Sequence, residues 1–146
     1  MNIRDKYIVI VGCSYFGSNI AASLSEIGND VIVIDIDEEA LDKLPLSYSG
    51  FKIKGDATDT DFLRKIGVGN NVSTIIAVEE DDATNLSIVL GARMLDPKIQ
   101  IITLVNESEV ENKLKLAGAD FIVNSNQISA YVASEYIGQP VAFEAV

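Results

Sequence analysis

Short runs of β-branched and other apolar residues recur along the chain, separated by longer stretches in which apolar residues return every three or four positions. The first pattern marks strands and the second amphipathic helices, and their alternation is that of βαβ units around a parallel sheet. Six strands are read this way: Tyr7 to Val11, Val31 to Asp35, Phe51 to Lys54, Thr74 to Val78, Ile99 to Leu104 and Phe121 to Val123, each followed by a helix. Four of them are almost wholly apolar, as strands covered on both faces are.

Punctuating residues fall where this reading needs them. Asp59 can cap the third helix and Asp81 or Asp82 the fourth, while Gly28, Gly67 and Gly118 stand at helix ends. Pro97 and Pro140 lie just beyond helices they cannot continue. No repeat or linker divides the 146 residues, a length within the range of one compact domain. The expected fold is therefore α/β, a single Rossmann-type doubly wound sheet of six parallel strands in the order 3-2-1-4-5-6. It takes in residues 1–138, with 139–146 as a tail or the start of a further segment.

Charge and composition narrow the partners. A formal net charge of -11 opposes binding to nucleic acid or to an anionic membrane, both of which attract clustered Lys and Arg. One cysteine, Cys13, and no histidine leave neither an internal disulfide nor a zinc-ligand set. No apolar run approaches the roughly 20 residues of a membrane span, and the start lacks a secretory h-region. The expectation is a soluble, cytoplasmic protein.

The chemistry-bearing motif follows the first strand: Gly12-Cys13-Ser14-Tyr15-Phe16-Gly17, then a helical run. This is G-x-G-x-x-G with Ser14 at its middle glycine. Such a loop makes a tight turn, lets a pyrophosphate approach the backbone, and packs helix against strand. Anion binding would rest on free amides and the positive end of the helix dipole, since no Lys or Arg lies between residues 7 and 42.

Roughly 20 residues on, Asp35 ends the second strand, where a carboxylate accepts hydrogen bonds from the hydroxyls of an adenosine ribose. Capping of the helix that begins at Asp37-Glu38-Glu39 is the competing use. Asp35 is followed by Ile36, with no Arg or Lys expected nearby to neutralise a 2′-phosphate, and the carboxylate itself would repel one. NAD or an adenosine phosphate is thus favoured over NADP.

Together with Gly55-Asp56-Ala57-Thr58 after the third strand and Leu116-Ala117-Gly118-Ala119-Asp120 before the sixth, these features resemble the RCK N-terminal domain, also called KTN or TrkA-N. The similarity runs from about Lys6 to Tyr136 and takes in the helix carrying Asn85. The resemblance implies a cytosolic regulatory domain of a potassium channel or transporter membrane subunit, binding NAD(H), or alternatively AMP, ADP or ATP, and assembling as a homodimer or higher ring. It also implies that Asp56 and Ala57 line the adenine pocket, with Val78 to Glu80 across the crevice near the second half of a dinucleotide. The full set of implied contacts is Gly12, Cys13, Ser14, Tyr15, Phe16, Gly17, Asp35, Ile36, Asp56, Ala57, Val78 and Glu79, with no catalytic or metal-ligating residue.

The chain departs from that pattern in two places. Tyr15 stands where many members carry an Arg that neutralises phosphates, and the fifth strand lacks the Arg often found near its end. Both favour NAD(H) or a lightly phosphorylated adenosine over ATP. The 146 residues stop soon after Ile137-Gly138-Gln139-Pro140, where the resemblance implies that a C-terminal subdomain begins.

Other functions compete for the same residues. An NAD-dependent oxidoreductase would need a proton donor beside the nicotinamide. Tyr48 and Lys52 match a Tyr-x-x-x-Lys pair but span the approach to a strand, where they share no helix face. A divalent-cation-sensing gating domain could use Glu79-Glu80-Asp81-Asp82, although acids at a helix start also complement its dipole. Cys13 could be a redox-sensitive thiol, or simply a small loop residue. The last helix, Gln127 to Ile137, carries Ile128, Tyr131, Val132, Tyr136 and Ile137 and is the candidate dimer contact.

Overall fold

A computed structural model of the chain describes residues 7–127. Its six strands are β1 (Tyr7–Val11), β2 (Asp30–Asp35), β3 (Phe51–Lys54), β4 (Val72–Ala77), β5 (Gln100–Val105) and β6 (Phe121–Asn124). They form one sheet in the order β3-β2-β1-β4-β5-β6 with every pairing parallel. The helices are α1 (Tyr15–Glu26), α2 (Glu38–Asp42), α3 (Thr60–Ile66), α4 (Asp82–Leu95) and α5 (Glu111–Ala117), the last preceded by a single 3₁₀ turn. This is the expected doubly wound Rossmann topology. Strand ends move by one or two residues, since β4 starts at Val72 and β5 runs on to Val105. The apolar stretch read as a terminal helix dimer contact, and the tail after it, lie outside the described residues.

Both faces of the sheet are covered, which is why the strands read as continuous apolar runs. Val9, Val11, Ile32, Ile34, Ile75 and Ile101 point to one layer with Leu63 of α3, Ile88 and Val89 of α4 and Leu114 of α5. Ile10, Val31, Val33 and Ile76 point to the other with Ala21 of α1, Leu41 of α2 and Tyr48. Alternate residues of one strand thus feed two cores.

Helix ends follow local chemistry. Asp37, Asp59 and Asp81 cap α2, α3 and α4, each accepting a backbone N–H from two residues on. Gly67 and Gly118 end α3 and α5 at φ values of 115° and 114°, the left-handed region that a Cβ disfavours.

The amino edge of the sheet is tied by one side chain. Arg93 near the end of α4 donates to the carbonyls of Pro97 and Ile99 at 2.9 Å, to that of Gly118 at 2.7 Å and to the Asp120 carboxylate at 3.0 Å. Asp120 in turn accepts the Ile101 N–H at 2.8 Å. The Ala-Gly-Ala-Asp segment is therefore a structural joint, distant from the glycine loop. Arg93→Leu leaves these carbonyls without their donor and is expected to lower the unfolding free energy by about 2 kcal/mol in urea denaturation. A loss under about 0.5 kcal/mol would show that water replaces the guanidinium there.

Candidate functional site

The two glycines that remain of the fingerprint are needed for space. Gly12 leaves β1 at a φ of 109° and lies so close to β4 that a Cβ there would stand 3.0 Å from the carbonyl of Val78. A Cβ on Gly17 would fall 1.9 Å from the Gly12 carbonyl oxygen and 3.1 Å from Cγ2 of Val78. Helix α1 therefore rests directly on the turn that precedes it, with the buried Val78 side chain as its floor.

Ser14, by contrast, adopts φ -77° and ψ -179°, which any residue can take. Its hydroxyl accepts the Gly17 N–H at 3.3 Å. The apparent defect in the motif is thus the N-cap of α1. The amides of Ser14, Tyr15 and Phe16 have no acceptor among the described residues, as expected of a first helical turn. Tyr15 is 88% exposed, whereas Phe16 turns into the second core layer.

Asp35 does more than either sequence reading assigned to it. One carboxylate oxygen accepts the Cys13 N–H at 2.8 Å and the other the Asp37 N–H at 2.9 Å. It therefore joins the glycine loop to the end of β2, while the α2 cap is Asp37 itself. Each oxygen keeps a second lone pair for a hydroxyl donor. Ile36 beside it is exposed. Register sets Lys54 alongside Asp35 on the adjacent strand, so a basic residue that sequence separation hid stands next to the acid.

Cys13 is buried, its Sγ donates to the Ala40 carbonyl at 3.2 Å, and burial and the nearby Asp35 raise its pKa. That environment disfavours a reactive thiolate. In the turn after β3, the Asp56 carboxylate accepts both the N–H and the hydroxyl of Thr58, at 2.9 and 2.6 Å, which hold its pKa below the usual range. Ala57 is 4% exposed and packs in the first core layer, so the turn offers the crevice a carboxylate more than a methyl wall.

The loop after β4 is pinned by a side chain whose role the sequence reading did not assign. The carboxamide of the fully buried Asn85 accepts the Glu79 N–H at 3.0 Å and returns a bond to the Glu79 carbonyl at 2.9 Å. Asp82, also buried, accepts the N–H groups of Asn106 and Glu107 at 2.8 Å. Together they fasten the β4 and β5 loops into one rim. The Asp82 bonds join residues 24 and 25 positions apart, and no local pattern signals them.

Glu79 is half-buried in that rim. Desolvation, and then the carboxylates of Asp35, Glu80 and Asp56, push its pKa upward. Asp81 and Asp82 are occupied by backbone N–H groups, and no group of three or more ligating side chains among the described residues could hold a metal ion. The Tyr48 hydroxyl lies 2.5 Å from the Phe51 carbonyl and 3.1 Å from that of Val31, with its pKa raised by burial. It is a packing anchor, unsuited to proton transfer.

A tight glycine turn, an open helix N-terminus, an acid at the end of β2 and a rim where the strand order reverses define a Rossmann domain of the dinucleotide-binding type. Comparison with known proteins makes the family specific: residues 8–125 match the TrkA-N domain, and the chain belongs to that family. It is 33% identical over 101 residues to a Trk system potassium uptake protein TrkA homolog of Pyrococcus abyssi, covering 69% of this chain and 44% of that protein. It is 31% identical over 153 residues to Potassium channel protein 1 of Methanocaldococcus jannaschii, covering 96% of this chain and 45% of that protein. The chain thus spans less than half the length of these relatives. Structures of GsuK bound to ADP and of the GsuK channel bound to NAD are 30% identical in sequence, with TM-scores of 0.76 and 0.71. They cover 93% and 90% of this chain, and 35% and 24% of GsuK.

The two small positions of the loop are expected to behave differently. Gly17→Ala should cost more than about 2 kcal/mol of unfolding free energy, because backbone blocks its Cβ. Ser14→Gly should cost only a few tenths, as one cap replaces another. Equal losses in chemical denaturation would contradict this division.

Proposed function

We propose that this chain is a nucleotide-sensing regulatory domain of a potassium channel or transporter, without catalytic activity of its own. NAD(H) or an adenine nucleotide binds across the crevice. Ribose hydroxyls meet Asp35, and phosphates face the open amides of Ser14, Tyr15 and Phe16. Asp56 and Glu79 stand to either side. The observation that carries this reading is the alignment of Asp35 with the free start of α1 in a chain of the TrkA-N family.

Two features support a regulatory role. The rim is assembled from loops that meet only in the folded state, so ligand binding across it changes how they pack. Leu90 and Met94 on α4 and Leu116 on α5 place exposed apolar side chains on neighbouring helices, supporting association with a second copy or a ring. Occupancy alters a partner only through the difference in affinity between its two packings. Among the described residues no helix is long and apolar enough to cross a membrane.

The reading is tested by thermal unfolding and calorimetry with NAD⁺, NADH, AMP, ADP and ATP. A nucleotide at about 100 times its Kd should add roughly 2.7 kcal/mol of stability, with ATP the weakest because the loop from Gly12 to Gly17 carries no basic residue of its own. Asp35→Asn should weaken binding at least about tenfold through loss of one acceptor. Equal binding by that variant would refute the ribose assignment, and no response to any nucleotide would refute the proposal.

A further inference from the structure

Asn106, the residue directly after β5, bonds in three directions. Its carboxamide nitrogen donates to the Glu80 carbonyl in the loop after β4 at 2.8 Å and to the Asp82 carboxylate at 3.2 Å. Its main-chain N–H donates to the same Asp82 oxygen at 2.8 Å. Its carboxamide oxygen accepts the Ser125 hydroxyl at 2.9 Å, and its main-chain carbonyl accepts the Asn126 carboxamide at 3.5 Å. A carbonyl such as that of Glu80 only accepts, so the nitrogen must face β4 and the oxygen is left to face the turn after β6. One planar group therefore ties both segments in a fixed relation.

Nothing in the sheet itself supplies that tie. The β4–β5 ladder ends at Ala77 and Thr103, and the β5–β6 ladder at Val105 and Asn124. Past those pairs the loops are joined by side chains. On the inner side, the β4 loop is fixed to α4 by the Asn85 carboxamide and lies against the glycine loop, where a Cβ on Gly12 would stand 3.1 Å from the Glu79 nitrogen. On the outer side, the turn after β6 is stiffened by the Asn126 N–H, which donates to the Asn124 carboxamide oxygen at 2.9 Å. Contact is thus continuous from Gly12 through Glu79 and Glu80 to Asn106, and on to the residues where the chain leaves the sheet.

We propose that Asn106 is a mechanical joint: through it the rim at Glu79 and Glu80 and the exit of the chain at Asn124 to Asn126 open and close as one unit. Local opening in proteins is cooperative over units of this size. Coupling between two positions is reciprocal, so a displacement imposed on the chain after β6 reaches the edge of the glycine loop. The joint stands without a ligand, and only its bearing on sensing rests on the nucleotide-binding reading.

Amide hydrogen exchange followed by NMR, without ligand, tests the joint in the natural chain, Ser125→Ala, Asn106→Leu and the double variant. Ser125→Ala removes the hydroxyl on the exit side alone, whereas Asn106→Leu keeps the size and loses the carboxamide bonds on both sides. The Glu79 amide, bonded to Asn85, is the reporter, since it lies across the joint from Ser125. Ser125→Ala should speed its exchange about fivefold, the effect of one hydrogen bond on a local opening. Asn106→Leu should speed it at least as much, and the double variant no more than Asn106→Leu, because both act through one link. Amides of β1 and β2 should keep their rates.

If Asn106→Leu does not fold, Ser125→Ala decides alone. Faster exchange confined to Ser125 to Gln127 with Glu79 unchanged, or an equal rise at Glu79 and throughout β1 and β2, would overturn the joint. AMP calorimetry on the natural chain addresses the other reading separately: absence of binding there would sink the nucleotide site and leave the exchange result standing.

Discussion

The carboxylate of Asp35 is the interaction on which the rest of the site depends. It ends a strand buried on both faces and accepts one N–H from the glycine loop and one from the turn into α2. Three segments that would otherwise diverge from the sheet edge are thereby held together. The same group is the ribose acceptor of the proposed site, so its structural and binding roles cannot be separated by truncation alone. Hydrogen bonds to a charged acceptor contribute about 1.5–3 kcal/mol, a large share of the stability of a domain of this size.

Around that point the molecule divides its labour between sheet edges. At the amino edge, Arg93 and Asp120 close the joints between α4, β5 and β6. At the carboxyl edge, Asn85 and Asp82 fasten loops that stay open to solvent on their outer side. Stability sits below and the proposed recognition site above, the arrangement general to open α/β sheets. A TrkA-N domain that reports on a bound nucleotide needs this asymmetry, because the sensing loops can respond while the core remains fixed.

Much of the fold was legible in the sequence because the physics that sets it is local. Six apolar runs, the caps at Asp59 and Asp81 and the glycine stops at Gly67 and Gly118 mark elements within a few residues, and the right-handed crossover rule then orders the sheet. The site was legible in part. Gly12, Gly17 and Asp35 follow from spacing, but Ser14 reads as a lost glycine until its cap geometry is seen. Ala57 and Val78 prove to be core side chains, and Lys54 comes beside Asp35 only through strand register. The anchoring of Glu79 by Asn85 depends on two buried polar groups meeting across a loop. No periodicity encodes such a contact.

In the proposed complex an adenine nucleotide occupies the crevice between α1 and Asp35. Amide chemical-shift mapping by NMR during a titration with AMP tests it most directly. Occupancy of the crevice puts the largest shifts on Cys13 to Gly17, Ile36, Asp56 and Ala57, while amides near Arg93 at the opposite edge stay unmoved. Saturable shifts confined to any other surface, or none at the glycine loop, would contradict it.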